Sequence, residues 1–215
     1  MANSRLVQCR LYGFIDTTYV DDLDPGEVAR NLIAGGVDIL QVRAKERTHA
    51  ERVETGLKVV SAAFTSGVPV IIDDDVEAAF ECGADGVHLG QLDWAAIPRE
   101  GRVERLANMR IVGISTHSLE EALTAERDGA DYIGIGPIFP TPTKPGAKGI
   151  GTDVIRQVAA QVKIPFFAIG GITLGNIGQV LEAGATRVAV VSAILKARDV
   201  TGACAKFKDR LGEAP

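Results

Sequence analysis

The sequence predicts a closed eight-stranded α/β barrel, (β/α)₈, formed as one domain over residues 1–215. Three observations lead to it. Short apolar runs of strand length alternate with segments of helical period along the whole chain. Eight such strand-and-helix units can be read in order, which is the composition of a (β/α)₈ barrel. A fourfold repeat also ties the units together: "AGGVDILQV" from Ala34, "CGADGVHLG" from Cys82, "DGADYIGIG" from Asp128 and "AGATRVAVV" from Ala183. In each, a helix end meets a glycine suited to a left-handed C-cap, then a small or acidic turn, then a strand. Gly36, Gly83, Gly129 and Gly184 recur at roughly 50 residues, about two strand-and-helix units.

The elements follow in order. "RLYGFID" supplies the first strand and "DILQV" the second. "GVPVIID", ending at Asp73, is the third, and "GVHLG" the fourth. "MRIVGIS" ends the fifth at Ser115, and Tyr132–Gly136 is the sixth. "KIPFFAIGG" carries the seventh to Gly171, and "RVAVV" is the eighth. Thr48-His-Ala-Glu51 and Ser118-Leu-Glu-Glu121 read as capping boxes at helix starts. In the last segment Val200, Ala203, Cys204, Phe207 and Leu211 share one helical face. A doubly wound open sheet is the competing arrangement; eight regular units and a fourfold half-repeat favour closure. The chain shows no linker, low-complexity tract or second domain.

Composition narrows the function classes. With 215 residues, 46% of them hydrophobic, the chain can bury a sizeable core. No stretch reaches the length of a membrane span, and "MANSRLVQCR" lacks the apolar region of a secretory signal. A net charge of −5 without a basic stripe argues against a nucleic-acid surface. Cys9, Cys82 and Cys204 are odd in number, far apart and outside any CxxC pair, which argues for reduced thiols in a cytoplasmic protein. The expected partners are small molecules, with neither nucleic acid nor membrane; a homo-oligomer is compatible with the sequence.

In a barrel of this kind chemistry sits where strands end. Those positions share a theme. The second strand ends in Gln41, Arg43 and Lys45, the third in Asp73-Asp74-Asp75, and the fourth in His88, Gln91 and Asp93. Ser115 ends the fifth. A proline-rich loop with Thr141, Thr143 and Lys144 follows the sixth. Gly170-Gly171 and Val191-Ser192 end the last two. Cations, hydroxyls and glycines together bind anionic oxygen. Arg43, Lys45 and Lys144 form a phosphate clamp if they converge, and a solvated rim if they do not. Helix capping accounts for one or two of the three consecutive acids. It does not account for Asp93 in the next loop, and two carboxylates from neighbouring loops suit Mg²⁺. The diglycine and Val191-Ser192 stand where barrels often hold a phosphate on backbone N–H groups. Two anion sites follow, one for a simple phosphate and one, with cations and metal, for a diphosphate. His88 either lines the mouth or hydrogen-bonds within the barrel, and His117 reads as structural or solvated. No nucleophile has an evident partner, so the chemistry points to displacement of pyrophosphate by a second substrate.

Seven motifs in order resemble the thiamine phosphate synthase family: "QVRAK", "IIDDD", "GVHLGQLD", "GISTHSLEEA", "DYIGIGPIFPTPTK", "FFAIGGI" and "VVSAI". The resemblance covers nearly the whole chain, and the sixth-strand motif with its TxTK ending is the most specific. It implies a transferase that joins 4-amino-2-methyl-5-hydroxymethylpyrimidine diphosphate to a thiazole phosphate or its carboxylate, with Mg²⁺ as cofactor. By position, Asp74 and Asp93 would hold the metal, and Arg43, Lys45, Ser115 and Lys144 the diphosphate. Gln41, with Asp73 and His88, would surround the pyrimidine. Thr141 and Thr143 would serve the thiazole phosphate and the closing loop; Gly170, Gly171, Val191 and Ser192 would hold its phosphate. The family often carries Asn where this chain has Asp73. Two other readings are a thiazole tautomerase, whose relatives carry His where this chain has Pro137, and a phosphate-binding barrel without catalysis.

Overall fold

Parallel pairing of the apolar runs closes into a barrel in strict sequence order, β1 through β8 and back to β1. The computed structural model describes residues 5–98, 106, 109–141, 143, 146 and 148–212. The strands are β1 (Leu11–Asp16), β2 (Ile39–Arg43), β3 (Val70–Asp73), β4 (Gly86–Leu89), β5 (Ile111–Thr116), β6 (Tyr132–Ile135), β7 (Phe166–Ile169) and β8 (Val188–Ala189). The last strand is only two residues long, yet it completes the ring by pairing Leu11 with Val188 and Tyr12 with Ala189. That pairing excludes the open doubly wound sheet.

Each strand leads into a helix, as expected: Thr17–Val20, His49–Ala63, Val76–Glu81, Gln91–Ala96, Leu119–Arg127, Asp153–Gln161, Ile177–Glu182 and Ser192–Leu195. Two longer helices, Pro25–Ala34 and Val200–Gly212, follow the short ones after β1 and β8. The Val200–Gly212 helix buries Cys204, Phe207 and Leu211 against the barrel. At Thr48 the full capping box forms. At Ser118 only half of it does. The Ser118 hydroxyl accepts from Glu121 N, but the Glu121 carboxylate bonds His117 N at 2.7 Å and His117 Nδ1 at 3.0 Å. The imidazole offers a second donor, so the carboxylate reaches one residue further back than the motif implies.

The fourfold repeat has a structural cause. Gly36, Gly83, Gly129 and Gly184 all have positive φ, from 70° to 102°. Each closes its helix with the same two bonds, for instance Gly83 N to Phe80 O and Ala84 N to Ala79 O. This is the Schellman motif, and it satisfies the last carbonyls of the helix. In the first three repeats an acid follows and binds the start of the preceding strand. Asp38 accepts from Arg10 N and Leu11 N, Asp85 from Val70 N and Asp131 from Val112 N. These turns tie off the N-terminal end of the barrel and leave the opposite end for chemistry.

Aromatic rings fill the interior below that end. Tyr12, Tyr132 and Phe167 are fully buried. Phe167 meets the two tyrosines edge-on, with centroids 5.2 and 5.7 Å away. Gly113 in β5 makes room for this cluster: a Cβ there would stand 2.1 Å from the Tyr132 ring.

Candidate active site

A cavity of about 470 Å³ opens where the strands end, with the aromatic cluster as its floor. Around its rim the structure brings together the described residues that the sequence singles out; Lys144 lies outside the described residues.

On one side stand the ends of β1, β2 and β3. Asp16, fully buried at the end of β1, accepts from Arg43 Nη1 at 2.9 Å and fixes the guanidinium. Asp16 does not stand out in the sequence; its one signal is an acid ending an otherwise apolar strand. Lys45 Nζ is hydrogen-bonded to Asp74 and lies 3.2 Å from Asp73 Oδ2. Burial opposes the Lys45 charge, but Asp73 and Asp74 outweigh it and hold its pKa above the ordinary value. Asp73 Oδ2 is buried without a hydrogen bond; its approach to Lys45 is an ion pair that lacks hydrogen-bond geometry. Burial first, and then the Asp74 charge, push the Asp73 carboxyl upward. Asp75 is the N-cap of Val76–Glu81, accepting from Ala78 N, so capping explains one of the three acids.

Asp74 has φ 61°, in the left-handed region that a non-glycine residue seldom enters. Its N–H donates to His88 O at 2.8 Å, and its Oδ1 accepts from Gly90 N at 3.3 Å. The turn points the carboxylate across β4 towards Asp93: a Cβ built on Gly90 would stand 3.0 Å from Asp93 Oδ2 and 3.9 Å from Asp74 Oδ1. Burial and the Asp74 charge raise the Asp93 pKa. Two hard oxygen donors that repel one another, next to a third acid oxygen that is ion-paired but not hydrogen-bonded, have the chemistry to hold a divalent cation. No cluster of three or more His, Cys, Asp or Glu groups arranged for a metal occurs among the described residues.

His88 does both of the things its position allows. It reaches the cavity, and it is bonded on both ring nitrogens, Nδ1 to Tyr132 Oη at 3.0 Å and Nε2 to Ser115 Oγ at 2.9 Å. Burial lowers its pKa to about 4, so the ring is neutral near pH 7. Behind it Tyr132 and Tyr12 share a hydrogen bond of 2.8 Å, and Gln41 Nε2 donates to Tyr12 Oη at 2.9 Å. Neither tyrosine stands out in the sequence, where both read as apolar strand residues. Gln91 donates to Ser115 O and holds that strand end in place.

The far side belongs to β6, β7 and β8. The loop after β6 is pinned at its base: Ile138 N and Phe139 N bond to Ile169 O and Gly170 O, while Ile150 N and Gly151 N return to Pro137 O and Ile138 O. Thr141 and Thr143 line the cavity, and Thr143 Oγ1 is 2.9 Å from Tyr19 Oη. Lys196 Nζ stands 5.0 Å over the Tyr19 ring. Gly170 and Gly171 have φ of 97° and 64°. A Cβ on Gly171 would come within 2.5 Å of Pro140 O, so the residue must be glycine for the loop to cross there. Asn176 holds the turn by donating to Gly171 O and accepting from Thr173 N. Val191 and Ser192 complete this wall.

Fold and site together define a class, an α/β barrel that handles anionic phosphate ligands at the C-terminal ends of its strands. A sequence model of the family described as thiamine monophosphate synthase matches residues 11–194. A thiamine-phosphate synthase of Halalkalibacterium halodurans is 43% identical over 92% of this chain and 93% of its own. One of Chloroflexus aurantiacus is 40% identical over 97% and 95%. Among solved structures, a thiamine phosphate pyrophosphorylase from Pyrococcus furiosus superimposes with a TM-score of 0.85 at 36% identity, covering 96% of each chain. The chain belongs to the thiamine monophosphate synthase family.

Proposed function

We propose that this barrel joins 4-amino-2-methyl-5-hydroxymethylpyrimidine diphosphate to thiazole phosphate, or its carboxylate, and releases pyrophosphate. The observation that supports this reading is the placement of two chemically different sets of donor groups across one cavity. On one side Arg43 and Lys45 stand with Asp74 and Asp93; on the other, Gly170, Gly171 and Ser192 offer backbone and a hydroxyl. The first suits a diphosphate with its cation, the second a single phosphate.

Asp74 and Asp93 would hold Mg²⁺, which when bound neutralises charge on the leaving pyrophosphate. Arg43, Lys45 and Ser115, with Lys144, hold the diphosphate oxygens. Gln41, Asp73 and His88 line the pyrimidine pocket, where a neutral His88, its two ring nitrogens held by Tyr132 and Ser115, offers a ring face without adding charge. The bond between the methylene carbon and the diphosphate oxygen breaks, and its electron pair leaves with pyrophosphate. The aminopyrimidine spreads the resulting positive charge. The thiazole nitrogen, fixed through its phosphate, supplies the electron pair of the new carbon–nitrogen bond. The protein thus contributes position and electrostatics, not a nucleophile. Thr141 and Thr143, which line the cavity, help exclude water, which would otherwise capture the cation.

Three buried free thiols support a reducing, cytoplasmic setting, and no helix among the described residues is long and apolar enough to cross a membrane. A tautomerase is not favoured, because Pro137 has no proton to transfer at the end of β6. The test is pyrophosphate release with each substrate omitted in turn. Release that needs both substrates and Mg²⁺, and that falls about a hundredfold or more in Asp74→Asn and Asp93→Asn, supports the reading. Release from the pyrimidine diphosphate alone at the full rate contradicts it.

A further inference from the structure

We propose that Tyr132 and Tyr12 are positioning residues that hold the His88 proton on Nε2 and thereby turn the Ser115 hydroxyl proton into the cavity. The proposal rests on the function above only for what Ser115 then meets, the diphosphate. The relay itself follows from counting protons along one chain of hydrogen bonds.

The chain runs Gln41 Nε2, Tyr12 Oη, Tyr132 Oη, His88 Nδ1, then His88 Nε2 and Ser115 Oγ, with every link between 2.8 and 3.0 Å. Gln41 and both tyrosines are buried, so a proton left without an acceptor would be costly. Gln41 donates to Tyr12, which must therefore spend its own single proton elsewhere, and Tyr132 is the acceptor in reach. Tyr132 then accepts from Tyr12 and has one proton to give, to His88 Nδ1. A neutral imidazole that accepts at Nδ1 carries its proton on Nε2. That proton goes to Ser115 Oγ. With its oxygen occupied as acceptor, Ser115 donates outward, into the cavity it lines.

Reversing any one link alone leaves two groups facing each other with either two protons or none, or an imidazole with no proton at all. Reversing all of them requires the Gln41 amide to turn over. The chain would then run from Ser115 to Gln41, His88 would carry its proton on Nδ1, and Ser115 would point its proton away from the ligand. The relay is thus a two-way device whose direction sets whether Ser115 offers a donor to an anion.

None of this was legible as a motif, because the tyrosines sit 120 residues apart in strands that are otherwise apolar. They meet only because the barrel brings β1 and β6 across its interior.

The test reads the tautomer directly, by long-range proton–nitrogen correlation on protein labelled with ¹⁵N in its three histidines. His88→Gln identifies the His88 signals. The expected result is a pyrrole-type Nε2 and a pyridine-type Nδ1. Tyr132→Phe, which keeps the ring and its packing, should mix the two tautomers, and Tyr12→Phe should shift them less in the same direction. Affinity for inorganic pyrophosphate with Mg²⁺ should weaken roughly threefold to tenfold in Tyr132→Phe and in Ser115→Ala, as for loss of one hydrogen bond. A merely structural tyrosine would leave the tautomer alone. An Nδ1 proton in the unmodified protein, or an unchanged tautomer in Tyr132→Phe, overturns the relay whatever the affinity. An Nε2 proton in a protein that does not bind pyrophosphate supports the relay and instead sinks the proposed function.

Discussion

His88 is neutral because it is buried, and that has a consequence for stability. Its folded pKa, about 4, lies below its ordinary value of 6.5. Between those values the unfolded chain binds a proton that the folded one refuses, so this group's contribution to stability falls as pH drops from 6.5 towards 4. The loss is at most roughly 3 kcal/mol, and carboxylates titrate in the same window. The check is therefore a difference: urea unfolding of the native protein and of His88→Gln across that range, in which the variant should lose less stability on acidification. Equal slopes would contradict the burial argument. Single residues also differ in how far the sequence reveals them. Arg43, Lys45 and Asp74 are legible because a charged side chain at the end of an apolar strand has little structural reason to be there. Asp93, expected in a loop that helix capping does not explain, instead stands in the first turn of Gln91–Ala96, where the helix dipole also favours an acid. Asp16, Tyr12 and Tyr132 are not legible, since one ends a strand as a turn residue does and the others have the aromatic character that strands favour.

Elements carry the next set of consequences. The loop after β6 is bonded at its base to β7 and touches Tyr19 near its tip, while Lys196 lies over the Tyr19 ring. Tyr19 acts as a latch between the loop and the helix after β1. Tyr19→Phe removes the Thr143 hydrogen bond and keeps the ring beneath Lys196. If the loop excludes water, this variant forms more pyrimidine alcohol per turnover than the native protein, on the order of twofold to tenfold for one hydrogen bond. An unchanged alcohol fraction would assign the contact to packing alone. At the opposite end of the barrel, Gly83 has φ 70° with open space around its missing Cβ. Gly83→Ala therefore isolates the backbone cost, about 1–2 kcal/mol in urea unfolding, and should leave turnover at saturating substrate unchanged. The helix ends were readable because a left-handed position selects glycine from any sequence. The Ser118 cap was only half readable, because the donor that won, His117, lies outside the four-residue pattern.

At the scale of the whole molecule, closure is what makes a site from scattered residues. β8 is two residues long, and its pairing with β1 and β7 brings Ser192 to the same cavity as Arg43. The number and order of strands were evident from the repeat. Which side chains face inward was not, since that depends on the register between neighbours, as where Asp73 stands beside His88. The same register lets Lys45 meet Asp73 and Asp74 from the next strand, while Arg43 bonds Asp16 from the one before. Because the proposed reaction draws on no protein nucleophile, loss of function on mutation should be graded over several positioning groups. The central claim is coupled formation of a carbon–nitrogen bond and release of pyrophosphate. The direct measurement is an endpoint reaction with both substrates, with thiamine phosphate read as its fluorescent oxidation product and pyrophosphate counted in parallel. Equal amounts of the two, formed only with Mg²⁺ present, are the expected result. Thiazole phosphate binding with neither product formed would contradict the claim.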